Sequence, residues 1–182
     1  MPEREISVDE TLVLFKGRLF FKQYLPAKRS RFGIKVYMSC EATSGIVLQM
    51  AVHVNRNEHD RFAAEDTRRL SMSSRVVIHL CQRFLDLGYL IVCDNWFSSC
   101  ELAKYLWERQ TLLLGTIRPN RGLSPQIRNH CTKVHQTIFM RLGPVLTSKF
   151  VDKKASGRKT VFIRLIYSRL HESSVEAKLL KS

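Results

Sequence analysis

The stretch from Leu90 to Ser99 most constrains what this chain can fold into. Four apolar residues, Leu90-Ile91-Val92-Cys93, run into two polar ones, Asp94 and Asn95. A second pattern then begins, with Leu102, Leu106 and Trp107 recurring at helical spacing. Such a change of period predicts a buried strand, a turn and a helix running to about Arg109. Asp94 then stands where a strand emerges from an α/β sheet, the end at which such folds expose functional side chains. A second reading stays open here, in which Asp94 or Ser98 only caps the helix.

The flanking segments supply the rest of a sheet. Ile6 to Glu10 alternates like a strand, with acids at its centre or exit, and Thr11 to Phe15 continues it after a bend. Gly17 breaks the pattern. Phe32 to Cys40 and Ile46 to Val54 flank the turn Ala42-Thr43-Ser44-Gly45 and read as an antiparallel hairpin. Val54 to Leu70 is charged and unpatterned, a loop. Ser71 to Ser74 can cap a helix reaching about Leu87, with Val76, Val77, Leu80, Phe84 and Leu87 on its apolar face and Gly88 as its stop. Thr111 to Ile117 is a further strand, ended by a rigid loop containing Pro119, Gly122 and Pro125. Beyond Gln126 the β candidates are Thr137–Arg141, Val145–Val151 and Thr160–Tyr167, with a basic turn from Asp152 to Lys159 between the last two. The tail from Glu172 is a short helix or a frayed end. The order strand, strand, strand, helix, strand, helix, strand resembles the ribonuclease-H-like fold: an α/β mixed sheet flanked by helices.

Charge narrows the partner. The formal net charge is +14 and the pI about 10. Residues 1–103 hold 14 Lys and Arg against 12 Asp and Glu, whereas residues 104–182 hold 16 against 4. This balance points to a polyanion, most simply nucleic acid, with a solvated basic surface as the alternative. Lys16, Arg18, Lys28 and Arg29 lie in a loop with Phe20 and Tyr24 beside them, and Arg118 and Arg121 follow the last core strand. Such side chains reach phosphates. The five cysteines are widely spaced and suit free thiols in a reducing compartment. Neither His53 with His59 nor His130, Cys131 and His135 completes a zinc ligand set. No signal peptide opens the chain and no apolar run reaches membrane length, so the expectation is an intracellular protein without a membrane partner.

Asp9 and Asp94 are the acids that this strand order brings together. Two facing carboxylates repel when ionised, and a divalent cation resolves that. Mg²⁺ takes one or two carboxylates plus water and phosphate oxygens. Ser7-Val8-Asp9-Glu10-Thr11-Leu12-Val13-Leu14-Phe15-Lys16-Gly17-Arg18, then Lys22-Gln23-Tyr24-Leu25-Pro26-Ala27-Lys28 with Gly33-Ile34-Lys35, open the chain. Cys93-Asp94-Asn95-Trp96-Phe97-Ser98-Ser99 and Gly115-Thr116-Ile117-Arg118-Pro119-Asn120-Arg121-Gly122 follow. In this order the three blocks resemble the catalytic region of piggyBac transposases and piggyBac-transposable-element-derived proteins, over roughly residues 5–167.

The resemblance implies three metal-binding Asp residues for DNA cleavage and strand transfer. Asp9 matches the first and Asp94 the second. The third lies beyond an inserted β-rich domain and has no match here. The expectation is therefore a partial ribonuclease-H-like transposase core over residues 1–125, with the start of a β-rich insertion and a tail over 126–182. Mg²⁺ or Mn²⁺ is the expected cofactor, bound weakly by Asp9 and Asp94, with no small-molecule cofactor. DNA is the expected partner, held non-specifically by Lys16, Arg18, Lys28, Arg29, Arg118 and Arg121. A homodimer and a nuclear location are further expectations. The chain by itself is expected to be inactive. Two alternatives stay open: an active phosphoryl-transfer enzyme in which Glu172 or Glu176 replaces the missing Asp, and an inert protein-interaction remnant.

Overall fold

The computed structural model describes residues 1–26, 31–54, 62, 65–142, 145–153 and 159–167. Lys28, Arg29, Glu172 and Glu176, and most of the charged 54–70 segment, lie outside these residues.

Strand β1 (Glu5–Leu14) organises the sheet. Its first residues pair in parallel with β5 (Leu90–Cys93), and β5 pairs in parallel with β6 (Leu112–Thr116). On its other edge β1 runs antiparallel to β3 (Phe32–Glu41) along nearly its whole length. β2 (Gln23–Tyr24) and β4 (Val47–Val52) share the far edge of β3. Beyond β6 come β9 (Lys159–Tyr167), β8 (Val145–Lys153) and β7 (Thr137–Leu142), all antiparallel. The described strands thus form one nine-stranded mixed sheet of order β2-β3-β1-β5-β6-β9-β8-β7, with β4 beside β3. This is the α/β, ribonuclease-H-like mixed sheet that the strand order predicted.

The core lies on one face. Ile6, Val8, Ile91 and Leu113 are buried there at 1% exposure or less, alternating with exposed or half-buried neighbours. Helix α1 (Met72–Cys81) and helix α2 (Cys100–Glu108) cover them with Val76, Leu80, Leu102 and Leu106. Full burial of each such side chain contributes roughly 1.5–3 kcal/mol. On the opposite face Asp9 is exposed and Ser7, Val92 and Leu114 are half-buried. The two sides are unequal, and the unequal side carries the candidate site.

Local chemistry explains the element ends. Ser71 accepts the Ser74 amide at 3.4 Å and caps α1. Ser99 accepts the Leu102 amide at 3.0 Å and caps α2, so the cap falls on neither Asp94 nor Ser98. Helix α1 stops earlier than its apolar pattern predicts. After a 3₁₀ turn over Gln82–Phe84, Leu85 is extended and Asp86 takes a φ of 64°. The Asp86 amide donates to the Arg109 carbonyl at 2.8 Å, and its carboxylate pairs with the Arg109 guanidinium. Docking against the end of α2 therefore interrupts the helix, and Leu87 stands 56% exposed instead of on the apolar face.

Three further expectations are corrected. β1 is continuous, without the bend after Glu10, because pairing with β3 holds it straight from Ile6 to Leu14. The loop after Gly122 contains a short helix, α3 (Pro125–Asn129), with Ser124 as N-cap and Pro125 at its first turn. β8 runs on through Asp152 and Lys153, which pair with Thr160 and Lys159, so the turn begins later than charge patterning suggested.

Candidate active site

Three parallel strands run side by side, and β5 and β6 end where β1 runs on to Leu14. Val8 of β1 is the register partner of Cys93 of β5, and Cys93 is the partner of Gly115 of β6. Asp9 follows Val8 and Asp94 follows Cys93, so the two acids stand at the same level, Asp94 just past the end of β5 and Asp9 within β1. Adjacent strands lie about 5 Å apart. Both acids line one cleft of about 420 Å³, with Ser7, Val92, Leu114 and Thr116 around them. It opens on the less covered face of the sheet.

Each carboxylate is held locally on one side only. Asp9 Oδ1 accepts the Glu10 amide at 2.8 Å, and Asp94 Oδ1 accepts the Trp96 amide at 2.9 Å. The latter is an Asx turn. The Asp94 carbonyl accepts from the Ser98 amide at 3.1 Å and from Ser98 Oγ at 2.9 Å. Ser98 Oγ also lies 3.3 Å from Cys93 Sγ. A Cβ at position 115 would collide with Ser98 Oγ and the Cys93 carbonyl. Glycine in β6 is thus what lets the Asp94 turn sit against the strand.

Burial pushes the Cys93 thiol up to about 12, which keeps it protonated and unsuited to nucleophilic chemistry. Cys40 is raised by burial and then by the negative charge of Asp9.

The turn is clamped from outside. The Trp96 ring stacks on Tyr37, with centroids 5.6 Å apart and planes 12° apart, and meets Phe97 edge-on at 4.7 Å. Lys35 Nζ lies 4.9 Å from both the Trp96 and the Tyr37 ring centroids. Arg121 Nη2 donates to the Trp96 carbonyl at 3.1 Å, while its Nη1 reaches Ser71 Oγ and Ser73 Oγ at 3.3 and 3.4 Å. Arg118 Nε donates to Asn95 Oδ1 at 3.0 Å. In the sequence Ser71 to Ser74 reads only as a helix cap and Lys35 only as part of a family block, and Tyr37 carries no local signal. Trp96 next to Asp94 was the local signal, but its partners sit on β3 and α1.

The candidate DNA contacts fall into separate places. Arg118 is exposed beside the cleft, and Arg121 is half-buried with its guanidinium engaged within the protein. Lys16 and Arg18 are exposed beyond the far end of β1, roughly 17 Å or more along the strand from Asp9. Lys28 and Arg29 lie outside the described residues.

The donor set was tested against a metal. Each Asp keeps one carboxylate oxygen without a hydrogen-bond partner among the described residues. Two monodentate carboxylates at the mouth of a cleft fit one hydrated Mg²⁺ or Mn²⁺. Among the described residues, no group of three or more His, Cys, Asp or Glu could hold a metal ion together. The fit of these two acids is to one ion. No helix among the described residues is long and apolar enough to cross a membrane.

Comparison with known proteins bears on the family and the fold. Residues 1–174 match the family described as transposase IS4. The chain is similar to the piggyBac transposase in a cryo-EM structure of its synaptic complex with hairpin DNA, with a TM-score of 0.76 and 25% identity. That match covers 97% of this chain and 36% of the piggyBac chain, so the present chain spans about a third of that protein's length. A Marinitoga piezophila Argonaute, crystallised with guide RNA and target DNA, matches with a TM-score of 0.35 and 11% identity over 98% of this chain and 24% of that one, which carries no argument.

Proposed function

Because the chain belongs to the transposase IS4 family, we propose that its Asp9–Asp94 cleft is two-thirds of a metal-dependent DNA phosphoryl-transfer centre. The register of Val8 with Cys93 carries this reading, since it sets both acids at one level of one cleft. Asp9 and Asp94 would hold a single hydrated Mg²⁺ or Mn²⁺. Such an ion supplies Lewis-acid polarisation of a phosphate oxygen. The residues themselves fix one carboxylate on a straight strand and the other on a clamped turn, and leave the cleft open to a backbone phosphate.

Two-ion chemistry needs further donors aimed at the same pocket, and loose placement costs orders of magnitude in rate. The 182-residue chain by itself therefore binds DNA and one cation but does not cleave. Arg118, Lys16 and Arg18 supply salt-sensitive, sequence-independent attraction, and Lys28 and Arg29 extend the same loop in sequence. A nuclear location and a homodimer acting at two DNA ends are the further parts of this proposal.

The test is a nicking assay with Mg²⁺ or Mn²⁺, beside Mn²⁺ binding followed by electron paramagnetic resonance. Wild type is expected to bind Mn²⁺ and not to nick. Asp9→Ala and Asp94→Ala should each lose the ion. Nicking that both variants abolish would overturn the proposed inactivity, and Mn²⁺ binding that neither variant changes would overturn the site.

A further inference from the structure

β1 outlasts its parallel partner. Its pairing with β5 ends at Val8, and its pairing with β3 continues to Leu14, opposite Gly33. β4 pairs with β3 only as far as Val36. The outer parts of β1 and β3, joined by the two residues of β2, therefore form a ribbon that projects from the sheet. Its end carries large apolar side chains in solvent: Phe20 is 82% exposed, Tyr24 53% and Phe32 50%. A soluble surface does not ordinarily gather such side chains without a partner. Tyr24 and Phe32 pack ring on ring at 4.7 Å, and Lys22 Nζ lies 5.8 Å from the Phe32 ring centroid while donating to the Gly17 carbonyl. Lys16 and Arg18 stand exposed beside them. From Thr11 to Cys40 the sequence holds seven Lys and Arg and no Asp or Glu.

We infer that this ribbon is a binding platform for an unpaired DNA strand, with Phe20, Tyr24 and Phe32 stacking on bases and Lys16 and Arg18 on the adjoining phosphates. The combination selects the partner. Past Asp9 and Glu10 at the base of the ribbon, a charge that is only positive from Thr11 onward suits a polyanion and disfavours a mixed-charge protein surface. Positive charge alone would serve a duplex, whose base faces are hidden in the stack. Exposed rings add binding only where base faces are open, and base–aromatic stacking tolerates any sequence. β1 also joins the platform to the cleft: Asp9 and Leu14 are five residues, about 17 Å, apart on one extended strand. That is about the length of five stacked nucleotides at 3.4 Å each. The inference rests on the reading above that the chain binds DNA, and adds which DNA structure it prefers and where.

The experiment compares a fluorescent 12-nucleotide single strand with its duplex, on the full chain, at two salt concentrations. The single strand is expected to bind at least about fivefold more tightly. Phe20→Ala and Tyr24→Ala should each weaken single-strand binding about tenfold, and duplex binding less than twofold. Phe20→Leu keeps an apolar side chain without a ring face and should behave like Phe20→Ala. K16Q with R18Q should weaken both ligands and flatten the salt dependence. Far-UV circular dichroism checks folding, and the exposed Phe20 keeps the test independent of the core. Equal loss on both DNAs, no loss, or full binding by Phe20→Leu overturns the platform while leaving in place the reading that the chain binds DNA. Binding to neither DNA at low salt overturns the platform and the proposed function together. Binding to anionic phospholipid vesicles that Phe20→Ala abolishes, without any effect of Phe20→Ala on single-strand binding, also overturns it.

Discussion

Arg121 donates to the carbonyl of Trp96 at 3.1 Å across 25 residues of sequence, and with its other nitrogen reaches the serines at the start of α1. One guanidinium thus ties the Asp94 turn to the first helix. It is half-buried, with its guanidinium engaged within the protein.

Arg121→Ala should therefore lower the unfolding free energy by about 1.5–3 kcal/mol, the range for hydrogen bonds to a charged group. Arg121→Lys should rescue little of this, because an ammonium cannot span the same fork. Arg118→Gln should leave stability within about 0.5 kcal/mol and weaken DNA binding instead. Urea denaturation beside a DNA titration separates the two arginines.

Asp9 and Asp94 stand at one level of neighbouring strands, and like charges so placed oppose each other by up to about 1 kcal/mol. Without divalent cation, Asp9→Asn should match or exceed wild-type stability. Adding Mg²⁺ should raise the melting temperature of wild type and leave Asp9→Asn and Asp94→Asn unmoved. A magnesium-dependent rise in either variant would separate that acid from the ion.

Lys149 is a buried cation that sequence patterning did not single out. At 6% exposure its ammonium donates to the carbonyls of Ile127, Arg128 and His130 at 3.2, 3.0 and 2.7 Å. These are the end groups of the five-residue helix α3, which has no length to satisfy them itself. Lys149→Met should cost about 2–4 kcal/mol. Hydrogen exchange should show amides of 125–130 losing protection first.

Cys93 gives a pH prediction. Burial raises its folded value to about 12 from an ordinary 9. A raised value means that the unfolded chain releases this proton first. The contribution is therefore complete below pH 9 and is lost between about pH 9 and 12, with a slope approaching 1.4 kcal/mol per pH unit. Cys81, raised by burial beside Cys93, acts in the same direction. Denaturation midpoints from pH 8 to 11 should fall more steeply for wild type than for Cys93→Ala.

The sequence by itself determined the elements whose period is strong. The Leu90–Cys93 strand, the α2 helix and the β1 and β3 strands could be read locally because burying one face imposes a period of 2 or 3.6 on adjacent residues. Asp94 was legible as a strand-exit acid for the same reason, Asp9 as an acid at the centre or exit of its strand, and the family blocks around them were legible as sequence. The tertiary structure alone decided the register of Val8 with Cys93, which depends on how segments 85 residues apart pack on the helices. It decided that Arg121 turns inward, since nothing adjacent in sequence to Arg121 shows the Trp96 carbonyl or the α1 serines. It ended α1 early, because Asp86 is captured by Arg109 at the end of another helix. It also made a helix of Pro125–Asn129, too short to carry a period and held by a lysine from β8. Local pattern fixes what a segment is; distant partners fix where it stops and which way its polar side chains face.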